Sequence, residues 1–178
     1  KKDDYYRKLI ERYARGENFN KDSIHFADSL KYTTLKKGRT VYGGGGIMPD
    51  IFIPQDTSFY TPFYGEILRK GLLTDYMNQY SDTHRASFLK KYPSASLFVK
   101  KYTVSDDEIS AFLDYCAANG VKPKDGDMEI SGNQIKVYFK GLIIRSIYGY
   151  NSFVEFINAN DVEIQRAVGE LRSDNFII

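Results

Sequence analysis

The segment Lys37-Gly38-Arg39-Thr40-Val41-Tyr42-Gly43-Gly44-Gly45-Gly46-Ile47-Met48-Pro49-Asp50-Ile51 has a composition that ordinary packing does not explain. Its four consecutive glycines offer no side chain to bury, and glycine loses more backbone entropy on folding than any other residue. A folded chain keeps such residues where the backbone needs a positive φ, or where another group approaches it closely. We therefore expect the fold of this region to be built around the glycine run.

Short β-rich runs lie on both sides of the glycines. Residues 32–35 precede a Lys-Gly turn, residues 40–42 follow it, and residues 51–53 read as a third short strand that Pro54 ends. This spacing predicts a β-hairpin, a Gly-rich loop and a return strand. Apolar residues at helical spacing dominate the later chain, so the predicted fold class is α+β and mainly helical, with a helical bundle after the hairpin.

The glycine loop has two possible uses. Successive glycine N–H groups form a nest for an anion or a substrate carbonyl, or the loop lets two parts of a sheet cross closely. The second interpretation is favoured, because glycine runs alone are weak functional signals. A phosphate-binding loop is a poor fit, because Pro49 follows where that motif needs Gly-Lys-Ser/Thr and the start of a helix.

The run from Gly38 to Ile51 resembles the late motif of the carboxy-terminal processing, or tail-specific, serine peptidases. Residues 138–145, 158–161 and 165–167 resemble the helical tail of Bacteroides-type members of that family. In the family, a Ser nucleophile and a Lys general base precede the glycine motif, and a PDZ module often accompanies them. The resemblance therefore implies that this chain is a C-terminal piece of a serine endopeptidase and that it holds none of the catalytic residues.

The same resemblance implies roles, partners and a location. The loop that contacts substrate or the peptidase core is expected to comprise Arg39, Gly43, Gly44, Gly45, Gly46, Pro49 and Asp50. Arg39 and Asp50 are expected to hold the hairpin and loop together through charge-assisted hydrogen bonds. The expected partners are the missing N-terminal core, the parent's protein or peptide substrate, and a second copy bound through the exposed hairpin. The expected location is the cell envelope or periplasm.

A hypothesis of another class is a non-catalytic helical module that binds a protein partner. The formal net charge of +2 is too small for a nucleic-acid footprint, so no nucleic acid is expected. Cys116 is the single cysteine, which excludes an intrachain disulfide and a Cys-rich zinc site. We expect no metal and no cofactor. No apolar run reaches transmembrane length, which predicts a soluble chain.

The spacing of apolar residues predicts where the helices lie. A first helix is predicted over residues 3–15, with Tyr6, Leu9, Ile10 and Tyr13 on one face. A boundary near residues 55–56 divides the chain into the tail of a peptidase core, residues 1–56, and a helical extension, residues 57–178. In the extension, a helix is predicted to start at Thr61-Pro62 and to be interrupted at Gly71, and a further short helix is predicted to be capped by Asp82. A capping box at Ser105–Glu108 predicts the next helix, and a long helix is predicted over about 133–148. The last two predicted helix starts are a cap at Asn151 and a second capping box at Asn160–Glu163.

Alternation of Ile135, Val137 and Phe139 leaves a strand as the alternative for the start of the long helix. No internal repeat is predicted.

Three groups of residues faintly resemble chemical sites, and each has a structural interpretation that we favour. The serines at 94 and 96 stand after the glycine motif instead of before it, the acidic run 106–108 suits a helix N-terminus, and Asp125 and Asp127 lack the other ligands of a calcium loop.

The purified chain is expected to show no peptidase activity, because no Ser–Lys pair stands in the family's order relative to the glycines. A fluorogenic peptide assay checks this. Turnover that survives repurification and is lost on mutation of a residue of this chain contradicts the expectation.

Overall fold

The chain divides into two units, which are described separately. The computed structural model describes residues 2–43 and 51–173. The first unit, Lys1–Thr57, is named the hairpin unit, and the second, Ser58–Ile178, is named the helical unit. Among the described residues, none of the helices is long and apolar enough to cross a membrane.

The hairpin unit begins with helix α1, Lys2–Ala14. Two 3₁₀ turns follow, Lys21–Ser23 and Asp28–Leu30. Strands β1, Lys31–Thr33, and β2, Thr40–Tyr42, then pair antiparallel, with Tyr32 opposite Val41. The turn between them passes through Gly38, whose φ of +62° suits glycine. The helix and the hairpin therefore form where the sequence predicts them.

Residues 51–53 form no strand, although their composition predicts one. A main-chain hydrogen bond from Gln55 N to Asn18 O, 2.9 Å long, holds the segment just after them. A strand needs a neighbour that supplies the other half of its hydrogen bonds, and local β-propensity cannot provide that neighbour. The return strand of the predicted fold class is therefore absent from the described hairpin unit, whose sheet has two strands.

The helical unit contains seven α-helices in its described part. They are α2 Pro62–Arg69, α3 Leu72–Lys91, α4 Ala95–Lys101, α5 Asp106–Ala118, α6 Asp127–Tyr148, α7 Tyr150–Ala159 and α8 Val162–Arg172. Side-chain caps begin several of them: Thr61 caps α2, Ser94 caps α4, and Ser105 with Glu108 forms the predicted capping box of α5. The prediction of a mainly helical α+β fold, with a hairpin followed by helices, is confirmed.

Four local predictions about the helices are wrong in detail. Helix α3 is continuous, so Asp82 caps nothing and instead pairs with Arg85 at 3.0 Å. Helix α6 begins at Asp127, and the strand alternative at its start is excluded. Asn151 lies inside α7, and Asp161 caps α8 in place of a box that begins at Asn160. Helices α6 and α7 begin after Gly126 and Gly149, which have positive φ and provide no side-chain cap, so cap-forming residues did not mark those two helix starts.

Helix α6 forms the centre of the helical unit. It packs on α2, α3, α4 and α7, and its Phe139, Ile143 and Ile144 are completely buried. Gly141 lets α7 approach closely, since a Cβ there would lie 3.2 Å from the Phe153 ring. The largest buried side chains of α4 and α5, Phe98 and Phe112, belong to the same core.

A buried chain of hydroxyl groups fixes the start of the helical unit to α6. Ser131 Oγ donates to the carbonyl of Phe59 at 2.7 Å and lies 2.8 Å from Thr61 Oγ1. Ser131 has one hydroxyl proton, so Thr61 donates to Ser131, and Thr61 in turn accepts from Tyr64 N at 3.2 Å. Because Thr61 and Ser131 are buried, each partner lost leaves an unsatisfied polar group.

Replacing Ser131 by alanine is expected to lower the free energy of unfolding by about 1 to 3 kcal/mol, because the Phe59 carbonyl and the Thr61 hydroxyl lose their partner. Urea unfolding of the 178-residue chain, followed by the far-ultraviolet helix signal, measures the loss. Ser110→Ala, at an exposed position of α5, is the matched control and is expected to change stability by less than about 0.5 kcal/mol. Equal losses in the two variants contradict the role given to Ser131.

Candidate functional site

The predicted loop is only partly within the described structure. Arg39 and Gly43 are described, whereas the remaining predicted loop residues lie outside the described residues: Gly44, Gly45, Gly46, Pro49 and Asp50. The predicted pairing of Arg39 with Asp50 therefore stays a prediction.

Arg39 ends the hairpin turn and closes it with its main chain. Its N–H donates to Thr34 Oγ1 at 2.9 Å, and its carbonyl accepts from Thr34 N at 2.9 Å. Both bonds join residues on opposite sides of Gly38, so they fix the direction in which β2 leaves the turn. Arg39 itself is exposed.

Gly43 is required by a close approach and has no positive φ. Its N–H donates to the Leu30 carbonyl at 2.7 Å, which extends the hairpin ladder by one pair. A Cβ at this position would lie 2.5 Å from Cε2 of Tyr32, so any larger residue would displace the tyrosine ring. The close approach at Gly43 is therefore to a side chain of the same hairpin, and both predicted uses of the glycine loop stay predictions, because its other glycines lie outside the described residues.

The hairpin unit has no apolar core among its described residues. Every buried hydrophobic residue of the described chain lies between Phe63 and Phe156, in the helical unit. On α1, the predicted apolar face is at least half exposed at each position, with Tyr6 at 53%, Leu9 at 50%, Ile10 at 68% and Tyr13 at 51%. We name these four residues the α1 stripe.

The opposite side of α1 is a solvated, charged face. Arg7 pairs with Asp4 at 2.7 Å and with Glu11 at 3.0 Å, at the i,i+3 and i,i+4 spacings of neighbouring helical side chains. Exposed pairs of this kind contribute little stability. Helix α1 is therefore amphipathic, and the four residues of its apolar side stay at least half exposed, although Tyr13 contacts the Phe19 ring at a centroid distance of 5.5 Å.

The hairpin also presents main-chain groups on its two outer edges. The bonds from Gly43 N to Leu30 O and from Thr34 N to Arg39 O mark the hydrogen-bonded pairs. Antiparallel pairs alternate, so Lys31 and Thr33 of β1 point their N–H and C=O groups outward. Thr40 and Tyr42 of β2 do the same on the other edge. A two-stranded ribbon is at best marginally stable alone, so both edges suit the addition of further strands.

Glu17 is a buried charged residue that lies just after the end of α1, and it was not among the predicted functional residues. It is 5% exposed and bonds Arg12 Nε at 2.6 Å and Arg15 Nη2 at 2.8 Å. Burial opposes its ionisation, but the two guanidinium groups outweigh burial and hold the pKa of Glu17 below its ordinary value. In the sequence, the signal that could have indicated this buried ion pair was the position of Arg12 and Arg15 shortly before Glu17.

Glu108 forms the most connected polar group of the helical unit. Its Oε1 accepts from the Tyr80 hydroxyl and, at 2.8 Å, from the Tyr102 hydroxyl. Its Oε2 accepts from Ser105 N at 2.7 Å. Burial disfavours the carboxylate, but these hydrogen bonds outweigh burial and lower the pKa of Glu108. The residue joins α3, the end of α4 and the start of α5, and all of its partners are structural.

The other candidate chemical groups also have structural roles. Ser94 Oγ accepts from Leu97 N as a helix cap, and Asp127 Oδ2 accepts from Lys124 N at 2.7 Å. Cys116 is fully buried, and burial raises the pKa of its thiol to about 11, which disfavours a nucleophilic thiolate. No group of three or more His, Cys, Asp or Glu residues suited to a metal ion occurs among the described residues.

Among the lysines that the structure describes, Lys140 comes nearest to the environment of a lysine base, because burial lowers the pKa of its ammonium group. Its Nζ, however, donates to the carbonyls of Val99 at 2.7 Å and of Tyr102 at 2.6 Å. These partners are the exposed carbonyls at the end of α4, so Lys140 acts there as a helix C-terminal cap.

A known protein family matches part of the chain. Residues 63–149 match a family of unknown function (DUF8443). No curated protein and no solved structure matches the chain. The matched segment begins within α2 and ends just after α6, so it covers the core of the helical unit.

The contribution of Glu108 to stability is expected to depend on pH. Its folded-state pKa lies below the ordinary 4.5, so the unfolded chain binds the proton first as the pH falls. The stabilisation is therefore complete above that ordinary pKa and is lost as the pH falls through the folded-state pKa. At neutral pH, Glu108→Gln is expected to lower the free energy of unfolding by about 2 kcal/mol, because four hydrogen bonds lose a charged acceptor.

Chemical unfolding of the wild type and Glu108→Gln at a series of pH values from neutral to below 4.5 tests this. The difference between the two is expected to narrow as the pH falls. Asp114→Asn, at an exposed position of the same helix, is the control and should give a small difference at every pH. A Glu108→Gln difference that stays constant below 4.5 would falsify the proposed ionisation.

Proposed function

We propose that this chain is the C-terminal region of a serine-type endopeptidase of the tail-specific, Ser–Lys family, and that it has a structural role in proteolysis. The hairpin unit is the tail end of the catalytic core, and the helical unit is an extension attached to it. The catalytic serine and lysine belong to an N-terminal core. Arg39 and the glycine run then contact that core or the substrate. We place the parent in the cell envelope or periplasm, on the resemblance alone.

One observation carries this proposal: the hairpin unit presents an amphipathic helix and two sheet edges but buries no hydrophobic side chain in its described part. The α1 stripe exposes four large side chains whose burial stabilises a fold by about 1.5 to 3 kcal/mol each. A domain of this size needs its own core, disulfides or a partner. A folded peptidase core with an apolar groove beside a strand edge supplies what the hairpin unit lacks.

The second candidate function is a non-catalytic helical module that binds a protein partner. It is favoured by the helical unit, which has a continuous core from Phe63 to Phe156 and capped helices. Under this proposal the α1 stripe and the hairpin edges bind a partner encoded elsewhere, and the glycine run has no link to proteolysis.

The coding sequence upstream of Lys1 distinguishes the two proposals. A Ser and a Lys in peptidase context support the first, and the upstream polypeptide can then be made separately and mixed with the 178-residue chain. Stable association and the appearance of peptide hydrolysis are expected. An upstream frame without those motifs contradicts the peptidase proposal and favours the module.

Hydrogen exchange tests the state of the hairpin. In the chain alone, amides of residues 51–53 are expected to exchange quickly because these residues form no strand. Amides of residues 40–43 are expected to do the same because a two-stranded ribbon is only marginally stable, while amides of α6 stay protected. Association of two copies through the hairpin edges is the other expected outcome, and it appears as slow exchange in a dimer. Strong protection of residues 40–53 in a strictly monomeric sample contradicts both, since the chain would then close its own sheet.

The α1 stripe is tested by a pair of variants. Leu9→Ser with Ile10→Ser is expected to weaken association with the upstream core at least tenfold, because two apolar contacts are lost. Arg7→Ser with Lys8→Ser changes the charged face of the same helix and is the control. If both double variants weaken association equally, the stripe is not the docking face.

A further inference from the structure

A five-residue pattern occurs twice at a spacing of ten residues, although no repeat was predicted. The copies are Phe88-Leu89-Lys90-Lys91-Tyr92 and Phe98-Val99-Lys100-Lys101-Tyr102. The first ends α3 and the second ends α4. In each copy the tyrosine is the C-cap, and its N–H donates to the carbonyl of the phenylalanine four residues earlier, at 2.7 Å in the first and 2.8 Å in the second. The two helix ends therefore share one local structure.

The four aromatic rings of the pattern form a single buried cluster. All six pairs of ring centroids among Phe88, Tyr92, Phe98 and Tyr102 lie between 4.4 and 6.5 Å apart. Each ring is in a residue that is at most 8% exposed. Aromatic contacts of this geometry are favourable beyond the area they bury, so the cluster holds the two helix ends together rigidly.

The remaining residues of the pattern face solvent. Leu89 is 42% exposed and Val99 is 38% exposed, and all four lysines are exposed. We name Leu89, Lys90, Lys91, Val99, Lys100 and Lys101 the dilysine surface. It combines two aliphatic side chains and four cations on a rigid support.

The dilysine surface carries an excess of positive charge that nearby acidic groups do not neutralise. Residues 83–105 contain no Asp or Glu. Three of the four acidic side chains that flank this segment have other partners: Asp82 pairs with Arg85, Asp106 pairs with Lys136, and Glu108 accepts from Tyr80 and Tyr102. The fourth, Asp107, is exposed and is a single charge against four lysines. The four lysines are thus available to an external anionic partner.

Helix capping does not account for this arrangement. Lysines near a helix C-terminus favour the helix dipole, but Lys140 of α6 already bonds the free carbonyls of Val99 and Tyr102 at the end of α4. The dipole also gives no reason for exposed aliphatic residues beside both lysine pairs.

We propose that the dilysine surface binds the surface of an anionic phospholipid bilayer. Lysine ammonium groups are attracted to anionic headgroups, and their long stems let adjacent aliphatic side chains enter the interface. A nucleic acid fits the surface less well, because the aromatic rings that would stack on bases are buried and no arginine lies within the pattern to grip phosphate with two bonds. The proposal is independent of the peptidase assignment.

Sedimentation with vesicles tests the proposal on the 178-residue chain. Vesicles of phosphatidylcholine mixed with phosphatidylglycerol are expected to bind the chain at low ionic strength, and vesicles of phosphatidylcholine alone are not. Changing Lys90, Lys91, Lys100 and Lys101 to glutamine is expected to lower the partition coefficient about a hundredfold or more, since each lysine near an anionic bilayer contributes roughly fivefold. The variant is expected to stay folded and to lose only a little thermal stability, because the four side chains are exposed and contribute mainly through the helix dipole.

A matched control removes four other exposed lysines, with Lys21, Lys36, Lys37 and Lys122 changed to glutamine. This control variant has the same net charge as the variant of the dilysine surface, and it is expected to retain most of the wild-type binding to anionic vesicles. An equal loss in both variants overturns the proposal, because attraction would then depend on net charge alone. No binding of the wild type to anionic vesicles, or tighter binding to duplex DNA or polyglutamate than to the vesicles, overturns it as well.

A fluorescent probe reports whether the aliphatic residues enter the bilayer. Cys116 is buried, so a Leu89→Cys variant is labelled selectively with an environment-sensitive dye. Its emission is expected to shift to shorter wavelength on anionic vesicles. A dye on Lys122→Cys, which lies outside the surface, is expected to shift little. An unshifted probe at position 89, or equal shifts at both positions, contradicts insertion by the dilysine surface.

Discussion

The packing of α6 against its neighbours is the interaction on which the helical unit depends. Helices α2 and α4 have eight and seven residues, and helices that short are unstable in water without tertiary contacts. Each of them packs on α6. Gly141 and Ser131 contribute to this arrangement without large side chains, because the first admits Phe153 and the second bonds the Phe59 carbonyl. Loss of packing at α6 would therefore release several helices together.

The same packing determines which polar groups remain free for chemistry. The side chains of Glu108, Ser131 and Lys140 each form a hydrogen bond to a group outside their own helix. The Cys116 thiol is buried in the hydrophobic core. Groups with such structural partners are poorly placed to accept or release a proton during catalysis. These polar groups hold the described helical unit together, so its exposed side chains are the groups that a partner can reach.

Local signals predicted the structure where the deciding contact is itself local. Ser105 and Glu108 lie three residues apart, so their capping box is visible in the sequence and is present in the structure. The start of α6 and the continuity of α3 were missed because competing local signals, such as Asp82, were weaker than burial along the whole helix. Residues 51–53 have the composition of a strand, but pairing requires a neighbour that composition does not reveal.

The candidate surfaces were predictable only in part for the same reason. The α1 stripe follows from helical periodicity, but its exposure does not, because exposure depends on what the rest of the chain covers. The role of Gly43 depends on the Tyr32 ring, which lies across the hairpin. The dilysine surface was not predicted, because the two copies of its pattern are brought together by ring contacts between the ends of α3 and α4. A short repeat in the sequence does not reveal those contacts.

The two units present different chemistry and therefore require different partners. The hairpin unit offers outward main-chain groups on its sheet edges beside an apolar helix face. Main-chain groups are directional and need a partner strand, which a folded protein supplies and a fluid bilayer does not. The dilysine surface offers cations and aliphatic side chains at the ends of α3 and α4, where the carbonyls of Tyr92, Val99 and Tyr102 already accept side-chain hydrogen bonds. Such a surface has no directional requirement, so it suits a fluid anionic interface better than a strand. A single partner that satisfied both surfaces would have to combine these opposite properties, and separate partners for the two units are the simpler physical solution.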